Sequence, residues 1–307
     1  MSLIATTITG LEKASAKEVG GKFYLPGRVI FDNYNNESFL TVDLIYELIT
    51  SFKFTQLSNL LDKIKSININ LVGSYNCLCK RIGEHDFTST IIEQDVGRII
   101  GLKSENASYS KEMPNTTILI DIIDDSCSIG ILKKKDISRR EYRFKLHNQT
   151  TPQLLASCLI KHLGIKSEES LLVIECKDGI IPIEASLQNI TKITGHDLNQ
   201  NNIRNAKINA KLAKKEIRFT STPIKSIVEK QDYIVTQFIF SKYKKGPYGL
   251  IHDVFELSEK VLEKKLAIIT NHPKDMETFR SNALKLRETL KVKNKKADLT
   301  ILIYSKD

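Results

Sequence analysis

The chain has 307 residues, of which 41% are hydrophobic and 27% charged, enough to bury the cores of about two domains and too apolar for a disordered tail. Its formal net charge of +10 suits a polyanionic partner, although lysine-rich solvated helices give the same balance. No apolar run approaches the roughly 20 residues that cross a bilayer, and the first residues lack the basic start of a signal peptide. A cytoplasmic protein without membrane association is therefore expected. The charge is uneven: residues 1–150 hold 19 Lys/Arg against 18 Asp/Glu, and residues 151–307 hold 27 against 18. Cys77, Cys79, Cys127, Cys158 and Cys176 form no C-x-x-C pair. They read as buried, reduced thiols, with neither a disulfide framework nor a metal site expected.

In chain order, residues 3–9 alternate as a strand, and an amphipathic helix follows to Val19. Lys22 to Asp32 reads as two strands hinged at Pro26-Gly27, and Asn33 to Ser38 as a polar loop. Leu44, Ile45, Leu48 and Ile49 share one helical face, which predicts a helix from Thr41 to Ile49. Leu57 to Ile64 repeats that pattern. Tyr75 to Arg81 is a predicted strand, and a helix capped within Thr88-Ser-Thr90 runs to Ile100. Thr116 to Ile123 and Ser126 to Leu132 read as strands joined at Asp124-Asp125. The segment Lys133 to Lys145 then carries seven basic residues against two acids, with Tyr142 and Phe144 interleaved. Lys133, Lys134, Lys135, Arg139, Arg140 and Arg143 are its candidate RNA contacts, since cations beside aromatics suit phosphates and stacked bases. A solvated edge strand would read the same way.

A polar linker is predicted over 147–152, followed by a helix from Gln153 to Leu163. Leu171 to Ile174 is long enough for a buried strand and too short for a helix. Lys177-Asp178-Gly179 breaks the pattern, and Pro182 falls where a helix can begin. A second apolar segment, Ile190 to Ile193, ends in Gly195-His196-Asp197. Strand, turn, helix, strand and terminal acid make a βαβ nucleotide-binding half, in which the turn approaches the ligand and the acid accepts from ribose hydroxyls. A βαβ unit without a ligand fits the same pattern. Beyond it, helices are predicted over Gln200–Lys214, around Ile224 to Val228, over Val254–Leu262 and over Met276–Leu290. Strands are predicted over Glu216–Thr220, Tyr233–Phe240, Leu266–Thr270 and Leu299–Tyr304. This alternation predicts an α/β fold with a mostly parallel sheet covered on both faces.

These residues resemble the THUMP-containing tRNA guanine-N2 methyltransferases. Gly10-Leu-Glu-Lys-Ala is similar to the family's first helix, and Arg81 to Thr90 with Val96-Gly-Arg-Ile-Ile to its THUMP domain. Arg139-Arg-Glu-Tyr-Arg resembles K-R-x-Y-R. Ile181-Pro-Ile-Glu-Ala resembles the motif after the cofactor loop, Gly195-His-Asp the G-x-D, and Ala206-Lys-Ile-Asn-Ala the A-x-x-N-A of the next helix. The resemblance spans nearly the whole chain. It implies a ferredoxin-like domain over 1–70, a THUMP RNA-binding domain over 71–146, and a class I, Rossmann-like methyltransferase domain over 153–307. It also implies S-adenosylmethionine at Cys176, Gly179 and Asp197, and tRNA as partner.

The chain departs from that pattern at the chemistry. Where the family reads D-P-F-C-G-S-G-T, this sequence reads Val173-Ile-Glu-Cys-Lys-Asp-Gly-Ile180, so Lys177 stands for the first loop glycine. The catalytic (N/D)-P-P-Y becomes Gln237-Phe-Ile-Phe240, which leaves Gln237 and Phe240 as the positions corresponding to the amide and the base-stacking aromatic. Gly246-Pro-Tyr-Gly249 resembles a displaced P-Y-G and reads as a loop. The two losses together give the expectation of an RNA-binding protein that has lost methyl transfer. The alternatives are an active methyltransferase, with or without a protein partner that completes the site, and a Rossmann-type NAD(P) oxidoreductase. The sequence has no G-x-G-x-x-G to support the oxidoreductase.

Overall fold

The structure, a computed structural model, describes residues 2–33, 38–240, 248–277, 279, 281, 283–293 and 298–306. It divides into two compact units, and the division does not follow the chain simply. Residues 1–6, 19–38 and 42–137 form the first, and residues 7–18, 39–41 and 138–307 the second.

The first unit contains β1 (Leu3–Thr6) and, beyond residues 7–18, β2 (Lys22–Leu25) and β3 (Arg28–Phe31). It continues with β4 (Leu44–Lys53), α2 (Leu57–Ser66), β5 (Gly73–Ile82), α3 (Ser89–Lys103), β6 (Ala107–Tyr109), β7 (Thr116–Ile123) and β8 (Ser126–Lys134). The eight strands make one sheet in the order β2-β3-β1-β4-β8-β7-β5-β6. Only the β7-β5 and β5-β6 pairs are parallel. Thr88 caps α3 by accepting the Ile91 amide, as its position in the sequence predicts. Leu60 and Ile64 of α2 and Ile92, Val96 and Ile100 of α3 supply the helical part of one core. Across the other face, Arg28 donates to both oxygens of Asp121 at 2.5 and 2.6 Å, and Tyr46 donates to the same carboxylate at 3.1 Å.

The second unit takes α1, here Glu12–Val19, from the N-terminal part of the chain up to residue 18. Gly10, with φ +95°, brings its backbone so close to strand residue Lys291 that a β-carbon would lie 2.3 Å from that carbonyl oxygen. Leu11 joins the same core as Leu155 and Val292. The remaining elements are α4 (Gln153–Leu163), β9 (Ser170–Ile174), α5 (Ile180–Leu187), β10 (Lys192–His196), α6 (Gln200–Leu212), β11 (Arg218–Thr220), a 3-10 turn (Ile224–Ser226), β12 (Gln231–Phe238), α7 (Tyr248–Val261), β13 (Leu262–Thr270), α8 (Pro273–Glu277), β14 (Leu284–Lys293) and β15 (Asp298–Lys306). The sheet order is β11-β10-β9-β12-β13-β15-β14, parallel through β13 and antiparallel over the last two strands. The order turns back at β9, whose two neighbours lead to opposite edges. In open α/β sheets that reversal opens the crevice where ligands sit. No helix among the described residues is long and apolar enough to cross a membrane.

Two predicted helices are strands. Leu44 to Ile49 lies in β4, and Leu284 to Leu290, the second half of the predicted Met276–Leu290 helix, lies in β14. Register shifts explain both errors. β4 carries an extra residue, Ile49, where it slips against β8 at Leu48/Thr50, and β14 carries one, Arg287, where it slips against β15 at Leu286/Glu288. Each extra residue breaks the two-residue alternation and leaves apolar spacings that mimic a helical face. The Asn33–Ser38 loop lies partly outside the described residues, as do Gly246 and Pro247. Tyr248 and Gly249, expected in a loop, open α7.

Candidate functional site

The first turn of the second unit follows β9. Glu175, Lys177 and Gly179 all have positive φ, at 55°, 51° and 81°, so the turn coils through three left-handed residues of which one is glycine. A side-chain-bearing residue in that region costs roughly 1–2 kcal/mol, a strain that the surrounding bonds must offset. The Cys176 amide donates to the His196 carbonyl at 3.0 Å, and the Gly179 amide to the Cys176 carbonyl at 2.8 Å. Gly179 is needed for packing as well as for its φ. A β-carbon there would lie 2.9 Å from the Ala206 β-carbon of α6, so glycine is what lets this helix pack against the turn. Cys176 is buried, and that burial pushes its thiol well above the ordinary range, as expected of an inert packing residue.

Asp197 follows β10 and is 1% exposed. The Lys177 amide donates to its Oδ2 at 3.0 Å and the Asn199 amide to its Oδ1 at 2.9 Å. Asn202 Nδ2 spans both oxygens at 3.1 and 3.0 Å. A carboxylate accepts about four hydrogen bonds, so residues of the chain already use the capacity that a ribose diol would need.

The Lys177 side chain folds into the turn, leaving the residue 5% exposed, and its Nζ donates to the Gln149 carbonyl at 2.9 Å. Burial lowers its pKa, while the neighbouring charges of Glu175, Asp197 and Asp178 hold it up. Glu175, desolvated and facing Asp197, is pushed up to about 7. Residues 145–151 strap across this turn. Asp178 receives the His147 amide at 3.0 Å and the Thr150 hydroxyl at 2.6 Å. Asn209 of the A-x-x-N-A motif exchanges bonds with the Lys145 backbone and donates to the Asp178 carbonyl. Residues 147–152, expected as a linker, are therefore fastened within the second unit.

Gln237 is 2% exposed at the end of β12. Its Oε1 accepts the Thr151 amide at 2.9 Å and the Thr151 hydroxyl at 2.8 Å, and its Nε2 donates to the Glu175 carbonyl at 3.0 Å. The side chain expected to accept from a target base instead ties the strap to the turn. Phe240 stacks on His272 with ring centroids 4.5 Å apart, and Asn271 brackets its backbone with two hydrogen bonds. The residues at the cofactor position do not fit S-adenosylmethionine in this arrangement. Both oxygens of the acid are bonded within the chain, and a buried lysine side chain lies in the turn.

Of the six basic candidates, Lys133, Lys134 and Lys135 belong to the first unit and Arg139, Arg140 and Arg143 to the second. Lys135 and Arg139 are exposed, and Lys133 pairs with Glu47 at 2.6 Å. Arg140 does not face solvent. Its side chain is 9% exposed and spans Glu184 at 2.8 and 3.2 Å. Tyr142 donates to the same carboxylate at 2.6 Å, and Ser157 also bonds it. Arg143 bonds Gln153. A buried charge needs a partner of this quality, so Arg140 is committed to Glu184 and has no guanidinium edge to offer a phosphate. The Glu184 network escaped the sequence reading, although one acid in the wholly apolar run Ile180-Ile-Pro-Ile-Glu-Ala signals a buried partner. A second basic feature also went unread. Lys207, Lys211, Lys214 and Lys215 line an open hollow of about 520 Å³ beside Ile217 and Phe219.

No family model matches the chain. A curated relative from Archaeoglobus fulgidus, named tRNA (guanine(6)-N2)-methyltransferase, is 25% identical over 206 residues, covering 60% of this chain and 52% of the relative. A second of the same name, from Methanocaldococcus jannaschii, is 32% identical over 119 residues, covering 35% of this chain and 30% of the relative. The matched stretch thus spans about half of the first relative's length and under a third of the second's. Among solved structures, TrmN from Thermus thermophilus superposes with a TM-score of 0.79 at 18% identity, covering 100% of this chain and 99% of that one. The chain has the fold of these methyltransferases, an α/β architecture whose second unit is Rossmann-like.

Proposed function

We propose that the chain binds tRNA through a methyltransferase fold and does not itself carry the methyl donor. The partner is supported by the relatives' names and by the exposed cations Lys135 and Arg139. The first unit is read as ferredoxin-like and THUMP parts, with Lys133, Lys134 and Lys135 at its RNA-facing end. The single observation that carries the loss of methyl transfer is Asp197, whose two oxygens already receive four hydrogen bonds from residues of the chain. The alternative, an active tRNA guanine-N2 methyltransferase, is favoured by the matched relatives, which bear that name. A partner subunit that rearranges the turn would reconcile the two, and a cytoplasmic setting suits both.

Purified protein, labelled S-adenosylmethionine and tRNA from a methylation-deficient cell separate the readings. The proposal expects salt-sensitive tRNA binding without methyl incorporation. Lys135→Ala and Arg139→Ala should each flatten the salt dependence by roughly one unit, because each phosphate contact releases counterions. Robust turnover that vanishes in Asp197→Ala establishes the active enzyme instead.

A further inference from the structure

We infer that Lys177 is a built-in plug, a tethered cation seated in the acid-lined turn, and that it masks a latent site for S-adenosyl compounds which removal of its side chain opens. The inference rests on the proposed reading that the native chain carries no methyl donor, and it names the residues responsible.

Three independent features of the turn converge on this residue. Its backbone stands at φ 51°, where glycine is favoured, so some other benefit must hold a lysine there. The benefit is visible in its surroundings. Glu175 and Asp178 flank the lysine in the chain, its own amide donates to Asp197 Oδ2 at 3.0 Å, and its Nζ donates to the Gln149 carbonyl at 2.9 Å. A long side chain that is 5% exposed in the turn fills space there that a glycine would leave open. The bond to Gln149 also explains why the strap lies down. Nζ meets it at 149 while Asp178 holds 147 and 150, and Gln237 holds 151. Lysine thus closes a ring of contacts with the turn on one side and the strap on the other.

The second barrier is Asn202, which spans both Asp197 oxygens without a charge of its own. A ribose diol needs the acceptors that this amide takes up, so the double variant removes it as well. Lysine at 177 is different, since its side chain must leave the turn altogether. Lys177→Gly is expected to fold, because glycine relieves the left-handed backbone at that position.

The test is titration calorimetry with S-adenosylhomocysteine on the full chain, its Lys177→Gly variant and the Lys177→Gly/Asn202→Ala variant. The expected result is no detectable binding to the native chain and a dissociation constant at least tenfold lower in the double variant. Folded variants that bind no better than the native chain overturn the plug while leaving the proposed function standing. Tight binding by the native chain overturns the cofactor-free reading itself. A measurement without substitution is acetylation of lysines in the native chain, read by mass spectrometry. Lys177 should react at least tenfold more slowly than Lys211, and equal rates would overturn the plug even if the variants fail to fold.

Discussion

Two buried carboxylates of the second unit, Glu184 and Asp197, are 0% and 1% exposed, and both meet full sets of donors. Glu184 is neutralised directly by Arg140 and further bonded by the Tyr142 and Ser157 hydroxyls. Asp197 has only neutral donors, two backbone amides and Asn202, while the nearest ammonium bonds elsewhere. The first arrangement is a strut, in which charge, hydrogen bonds and shape are matched. The second is a carboxylate saturated by neutral donors of the chain, with no cation bonded to it. The difference teaches that saturated hydrogen bonding and charge compensation are separate: Glu184 has both, and Asp197 has only the first.

The largest effect that sharpens this contrast is expected at the strut. Glu184→Ala leaves the Arg140 guanidinium buried and unpaired, which costs about 3–5 kcal/mol. Urea unfolding checks it, and a loss below about 1 kcal/mol would mean that Arg140 reaches water and the contrast fails. Next comes the turn itself. Gly179→Ala places a β-carbon against Ala206 at a left-handed position and should destabilise by about 1–3 kcal/mol. A neutral result would show that α6 can retreat and that the turn is still able to open.

A smaller effect appears as pH dependence. Burial and the charge of Asp197 push Glu175 up to about 7 from the ordinary value of 4.5, so the folded state binds its proton more tightly than the unfolded state. Stability is greatest below the unfolded value and declines as pH rises from about 4.5 to about 7, by an amount of order 1–2 kcal/mol once coupling to Lys177 is allowed for. His147 works with the opposite sign, since burial lowers its folded pKa. The effect is therefore read as the difference between native chain and Glu175→Gln in urea titrations at pH 5 and pH 8. Curves that stay parallel would remove the acid wall from the comparison. The smallest effect belongs to Phe240→Ala, which loses one stacked ring on His272 and should cost about 0.5–1.5 kcal/mol. Loss of tRNA affinity without loss of stability would return the aromatic to a ligand-facing role.

Much of the second unit could be read from sequence because its signals are local. The Gln153–Leu163 helix matches α4, and the strand-turn-helix-strand run from Leu171 to Asp197 forms as expected. β4 and β14 were read as helices because bulges destroy their alternation, and a bulge depends on the partner strand. The site was half legible. Lys177 and Gln237 were identified as departures by position, but the direction of a side chain depends on neighbours such as Gln149 and Thr151, the second of them 86 residues from Gln237. Arg140 was read as an RNA contact because charge in sequence carries no information about burial. Only its pairing with Glu184, 44 residues away, decides that.

The course of the chain through the second unit has a consequence for synthesis. Thr9 bridges Lys293, and Leu11 packs in the core that also holds Val292. A ribosome delivers the first of these residues early and the last nearly three hundred residues later. The second unit therefore cannot fold vectorially as a late, self-contained piece. Its earliest segment must wait unpaired, with a large loop-closure entropy against it, until the penultimate strand emerges. During that interval Leu11 and its helix are exposed apolar surface of the kind that chaperones recognise.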